Sequence, residues 1–224
     1  MKKKNKKRKL NKKRVYTFLI ILLFFVISIY YIINVNITNI YISGNKFLTD
    51  QEVIDIAKLS NYPKSISNLS LDIKKSLEKN KYINKAKVTK NKLLKEVNIE
   101  IEENYPLFYY QVEDKYVLYD GTKIDDNVTV PNIINHIPNK VYDKFIIKIR
   151  KIDRDILNRI SEIKYDPNEV DDERFFLIMN DGNYVYITVK KMLSINKYLD
   201  MVNSFDNKKG ILHLDSGEYF SLFD

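Results

Sequence analysis

The 224-residue chain has 38 Lys or Arg, 29 Asp or Glu, two His and no Cys, for a formal net charge of +9. Without cysteine, disulfides, thiolate nucleophiles and thiolate metal sites are excluded. Ten of the basic residues lie in the first fourteen positions, MKKKNKKRKLNKKR; taking those ten from the 38 leaves 28 basic against 29 acidic side chains, a nearly neutral remainder that offers nucleic acid no basic face.

Residues 15–33, VYTFLIILLFFVISIYYII, carry no charge, Gly or Pro. At ~1.5 Å per residue they make about 28 Å of helix, close to the ~30 Å hydrocarbon core of a bilayer. Tyr30, Tyr31, Ile32, Ile33 and Asn34 stand where a signal peptide would carry small residues for cleavage, so the segment reads as an uncleaved anchor. A buried helix of a soluble protein is seldom apolar all round for this length. Lys and Arg accumulate on the cytoplasmic side, which predicts residues 1–14 inside, the chain beyond about Asn34 outside, and Tyr30 and Tyr31 at the outer interface. The only strongly basic segment is then separated from the exported part by the membrane.

The exported part opens with a short strand in which Ile40 and Ile42 alternate with polar neighbours, followed by a Gly44-Asn45 turn. Thr49-Asp50-Gln51-Glu52 has the capping-box pattern and starts a helix with Val53, Ile54 and Ala57 on its apolar face. A second helix is predicted over residues 71–79, capped by Ser70, with Leu69, Ile73 and Leu77 on one side. Tyr82-Ile83-x-x-Ala86-x-Val88 reads as a strand. Val97, Ile99 and Ile101 alternate with Asn98, Glu100 and Glu102 in another. The order is β-α-α-β-β.

Beyond Tyr105-Pro106 short strands are predicted at residues 116–119, 175–179 and 184–189, with Asp120-Gly121 and Asn180-Asp181-Gly182-Asn183 as hairpin signals. One helix is expected near residues 148–163, presenting Ile149, Ile152, Ile156, Ile160 and Ile163. Another is expected near residues 190–205, presenting Met192, Ile195, Leu199 and Val202. In the closing stretch GILHLDSGEYFSLFD, Leu212 and Leu214 face one way and Ile211 and His213 the other. The fold class is α+β: one transmembrane helix, a β-α-α-β-β domain, and a β-rich domain with two helices.

These residues resemble the FtsQ/DivIB family of bacterial cell-division proteins, in which a cytoplasmic tail and a single anchor precede a POTRA domain and a β domain. Ile42-Ser43-Gly44-Asn45 with Leu48-Thr49-x-x-Glu52-Val53-Ile54 is similar to the family's strand, turn and first helix. Tyr82-Ile83-x-x-Ala86-x-Val88 resembles its next strand, and Ile99-x-Ile101-x-Glu103-x-x-Pro106 its exit from POTRA. Ser161-Glu162-Ile163, Asp181-Gly182 and residues 210–220 resemble the β domain in its Gram-positive, DivIB form. Asn104 departs from the Arg that often follows the Glu, and Leu93-Leu94 occupies a hairpin where Pro is common. The chain stops soon after the last strand, so the long tail of some members is expected to be missing. The implied division is a tail at 1–14, a membrane helix at 15–34, a POTRA domain at 35–104 and a β domain at 105–224.

No carrier of catalysis is visible. His136 and His213 have no second His or Cys at ligand spacing, so neither a metal nor another cofactor is expected. No phosphate-cradling Gly loop and no G-x-S-x-G elbow occurs among five glycines. Asp125-Asp126 and Asp171-Asp172-Glu173 lie in turn-rich stretches and read as solvated loops. The alternative function, a membrane-anchored enzyme remodelling the cell wall, requires Asp171, Asp172 or Glu173 to converge on a cleft. The resemblance instead implies a non-catalytic scaffold at the division septum that binds DivIC (the FtsB counterpart) and FtsL, and that helps control septal peptidoglycan synthesis. It further implies pairing through the edge of the last strand: Ile211, Leu212, His213 and Leu214, with Tyr219 and Phe220 as aromatic anchors.

Overall fold

In a computed structural model of the protein, residues 11–91, 93–205 and 208–223 are described. The chain divides into two compact units, Met1–Glu103 and Asn104–Asp224. Most of the basic tail, residues 1–10, lies outside the described residues.

The first unit begins with α1 (Lys12–Asn34), where the Asn11 side chain accepts the Lys13 amide at 3.1 Å. No residue of this helix is buried. Its aliphatic hydroxyls turn inward: Thr17 and Ser28 donate to the carbonyls of Lys13 and Phe24, so that the outward face between Tyr16 and Tyr30 is almost all hydrocarbon. Length and composition suit a membrane span.

Beyond α1 come β1 (Asn39–Ser43), α2 (Asp50–Ile56), a 3₁₀ turn at Ser65–Ser67, α3 (Ser70–Glu78), β2 (Ile83–Asn91) and β3 (Glu96–Glu103). The sheet order is β1-β3-β2, with β1 parallel and β2 antiparallel to β3. The alternation in β3 sends Val97, Ile99 and Ile101 inward against Val53 and Ala57 of the α2 region and Ile73 and Leu77 of α3. The capping box of α2 is complete: the Thr49 hydroxyl accepts the Glu52 amide, and the Glu52 carboxylate accepts the Thr49 amide at 2.7 Å. Those bonds hold the Glu52 carboxyl below its ordinary range. Gly44 has φ +87, and a Cβ there would lie 2.0 Å from the Ile101 carbonyl oxygen. Only glycine fits this turn. After it, the Glu103 carboxylate accepts the amides of Phe47 and Leu48 at 2.8 to 2.9 Å, fastening the loop that leads into α2.

One helix start differs from expectation. Ser70 is the first residue of α3, the N-cap position belongs to Leu69, and no side chain caps it. The Leu69 carbonyl takes the amides of Asp72 and Ile73, so the start is closed by backbone alone, and Leu69 is exposed while Ile73 and Leu77 are buried.

The second unit contains β4 (Pro106–Tyr110), β5 (Lys115–Leu118), β6 (Lys123–Ile124), β7 (Asn132–Ile133), α4 (Asn139–Ile149), α5 (Arg154–Leu157), β8 (Ile160–Tyr165), β9 (Arg174–Met179) and β10 (Tyr184–Thr188). A 3₁₀ turn (Met192–Lys197) then leads into α6 (Tyr198–Asn203), β11 (Gly210–His213) and β12 (Tyr219–Leu222). The twelve-strand numbering hides a single nine-stranded sheet, ordered β12-β11-β10-β9-β8-β7-β4-β5-β6. Phe145 of α4 stacks on Phe175 of β9 at 4.9 Å within one core that includes Met192, Ile195 and Val202.

Residues 148–163 are not one helix. α4 ends at Ile149, α5 is four residues long, and Ile160–Tyr165 is a strand. All five isoleucines are nevertheless buried. A bulge between Ile160 and Glu162 turns Ile160 and Ile163, three apart, onto the same face. An odd spacing that imitates a helix is thereby compatible with β structure. The helix missed by that reading, α4, buries Val141, Phe145 and Ile149 at spacing four. The helix expected near residues 190–205 spans Met192–Asn203, and its first half is 3₁₀.

Candidate partner-binding edge

The hairpin joining β9 to β10 turns at Gly182, with φ +89. Asn183, fully buried, donates to the Tyr198 hydroxyl at 2.9 Å and accepts the Gly210 amide at 3.0 Å. The Tyr198 hydroxyl in turn donates to Asp181 at 2.8 Å. Burial and that carboxylate push the Tyr198 phenol well above its usual range, so it remains a donor. One buried amide therefore ties the hairpin, α6 and the first residue of β11 together.

β11 lies between β10, to which it is parallel, and β12, which is antiparallel. Leu212 and Leu214 point into the core, at 2% and 0% exposure. The stretch 211–220, expected to supply the pairing strand, is two strands joined by a turn, and β11 has a neighbour on each side. The side chains of Leu212 in β11 and of Leu214 just beyond it belong to the unit's own core. The sequence signal for the break was Asp215-Ser216-Gly217, a turn triplet. Ile211 and His213 lie half-buried on the opposite face.

The edge is β12. The Phe223 amide donates to the Lys209 carbonyl at 3.0 Å, and antiparallel alternation then makes Ile211 with Ser221 and His213 with Tyr219 the hydrogen-bonded pairs. The backbone groups of Phe220 and Leu222 point outward. Phe220 is held by stacking on Phe205 at 4.8 Å, and Tyr219, 51% exposed, stacks on His213 at 4.4 Å. A row of rings continues inward from Tyr219 through His213 and Tyr186 to Phe176.

Arg174, absent from the residues singled out by sequence, clamps this region. Its Nε donates to Asp215 at 2.9 Å, its Nη1 to Asp166 at 2.8 Å, and the guanidinium lies 3.8 Å from the centre of the Tyr186 ring. Burial pushes the Asp215 carboxyl up, but the Ser216 amide and Arg174 outweigh it and hold it below the ordinary aspartate range. A depressed carboxylate contributes stability that is complete above its unfolded-state pKa and is lost as pH falls below it. The turn between β11 and β12 is therefore expected to loosen as pH falls from the ordinary aspartate range through the depressed pKa of Asp215. Arg174→Gln should flatten that dependence; chemical-shift titration of Asp215 checks it, and an unchanged titration would disprove the clamp.

The remaining carboxylates do not converge. Asp171 accepts the Glu173 amide at 2.7 Å, Glu173 pairs with Lys144, and Asp172 is exposed. His136 is exposed, and among the described residues no three His, Asp or Glu group as metal ligands. Asn104, at the departure from the usual Arg, is buried and accepts the Asp120 amide at 2.9 Å.

Residues 35–104 match the family model of the FtsQ-type POTRA domain. Cell division protein DivIB of Bacillus subtilis (strain 168) is 29% identical over 196 residues, covering 84% of this chain and 74% of its own length. Cell division protein DivIB of Listeria monocytogenes is 30% identical over 199 residues, covering 84% of this chain and 73% of that one. The chain belongs to the DivIB family. The extracytoplasmic domain of DivIB from Geobacillus stearothermophilus aligns with a TM-score of 0.38 at 17% identity, over 46% of this chain and 94% of that one. Membership gives the chain a role in cell division, among proteins named for that process and not for an enzymatic reaction.

Proposed function

We propose that this DivIB-family chain is a non-catalytic scaffold of the division machinery, anchored by α1 with its N-terminus in the cytoplasm and its two folded units outside, at the septum. Its β domain captures DivIC, the FtsB counterpart, together with FtsL, and through them helps control septal peptidoglycan synthesis. The observation that carries this reading is the free side of β12, where Phe220 and Leu222 direct backbone N–H and C=O groups away from the sheet. An arriving strand satisfies these groups, each bond contributing about 0.5 to 1.5 kcal/mol net, while Tyr219 supplies exposed aromatic area.

Leu222→Pro separates the edge from the fold. Leu222 is 49% exposed and its amide takes no part in pairing with β11, so proline there is compatible with an edge strand. The expected result is an unchanged unfolding midpoint and at least about tenfold weaker binding of the full chain to a DivIC–FtsL complex in nanodiscs. Equal affinity would sink the edge as the docking site. Leu212→Pro is the poorer probe, since it breaks the unit's own core strand.

A further inference from the structure

The passage from α1 into the POTRA domain is not a free linker. Val35 and Ile37 are buried; the Val35 carbonyl accepts the Ser65 amide at 2.9 Å, and the Ile37 amide donates to the Pro63 carbonyl at 3.0 Å. Asn36 bridges to Lys64, whose ammonium donates to Asn34, the last residue of α1, at 3.1 Å. The Thr38 amide donates to the Lys95 carbonyl at 2.8 Å. Two segments, residues 62–71 leading into the first turn of α3 and residues 93–95 between β2 and β3, are thereby fastened to the end of the apolar helix.

Those two segments hold nearly all the exposed apolar surface of the domain. Among the described residues of 35–103, the exposed large hydrophobic side chains are Tyr62, Ile66, Leu69, Leu71, Leu93 and Leu94 on these segments, and Tyr41 elsewhere. Leu93 and Leu94 are the more unusual, because both have positive φ, at 56° and 70°. A turn in water would put Gly or Asn there, avoiding both the strain and the exposed leucines. Exposed Lys64 and Lys95 flank the group with side chains long enough to keep their charge in a headgroup layer.

We propose that this end of the POTRA domain is a membrane-contact surface, seated in the interface of the leaflet through which α1 emerges, with Ile66, Leu69, Leu93 and Leu94 among the acyl boundary. The proposal rests on the reading of α1 as a membrane anchor. Its occupant is lipid because the same backbone that leaves the hydrocarbon is hydrogen-bonded to both segments within four residues, so the apolar end cannot swing away without breaking those bonds. Seating fixes the height and tilt of the domain above the membrane, in place of a tether.

The absence of cysteine makes the test direct. Full-length single-cysteine variants Phe24→Cys, Leu69→Cys, Leu93→Cys and Lys46→Cys, each labelled with an environment-sensitive fluorophore, are reconstituted in phosphatidylethanolamine–phosphatidylglycerol vesicles containing spin-labelled lipid. Lys46 follows the opposite end of β1 and serves as the solvent reference. Quenching at positions 69 and 93 is expected to exceed that at 46 by about twofold or more and to approach that at 24. Quenching at 24 with positions 69 and 93 indistinguishable from 46 overturns the proposal, and would leave the face to a protein partner. No quenching at 24 removes the anchor reading, and the proposal with it.

Discussion

Gly210→Ala is expected to detach β12 and abolish capture of a partner strand. A Cβ at this position would stand 2.1 Å from the Ser221 carbonyl oxygen and 2.9 Å from the Phe220 ring. Neither side can yield easily: the Gly210 amide is held by Asn183, fully buried, and Phe220 is stacked on Phe205. Overpacking of this kind costs about 2 to 3 kcal/mol if the strands stay paired. Separation of β12 is the cheaper relaxation, since that strand has one neighbour only. Amide hydrogen exchange should show lost protection at Ile211 and Ser221, with β8 to β10 retained, and affinity for DivIC–FtsL should fall at least about a hundredfold. Retained protection with retained binding would contradict both the close approach and the role of the edge.

Glu103→Ala is expected to have the largest effect on the first unit. Its carboxylate is nine-tenths buried and takes the amides of Phe47 and Leu48. Removing it leaves two donors without their charged acceptor next to the start of α2, at a cost of about 3 kcal/mol. Glu103→Gln keeps an oxygen and should lose roughly half of that. Urea unfolding of the full-length protein, followed by labels confined to the POTRA domain, measures both. Equal midpoints for Glu103→Ala and the parent would show that the loop is held by its apolar contacts alone.

The two variants differ in how visible their targets were. Glu103 belongs to a motif legible in the chain, but its role is to staple a loop 55 residues earlier. Gly210 carries no local sign of its contact, because Ser221 reaches it only after a turn. The candidate edge shows the same split. Tyr219 and Phe220 are on the edge strand, whereas Leu212 of the strand behind it and Leu214 just beyond that strand are core residues. Alternation separated the two faces correctly, but it could not say which strand was outermost.

Features whose causes lie within about four residues were legible in the chain alone: the apolar α1, the capping box at Thr49, the alternation of Val97, Ile99 and Ile101, and the turns at Gly44 and Gly182. Three features became visible only in the assembled sheet: that residues 160–165 form a strand, that β11 enters parallel to β10, and that β12 lies at an edge. A strand's hydrogen-bonding partners come from elsewhere in the chain. Whether its backbone is paired or free depends on what arrives beside it, and no periodicity within the strand records that.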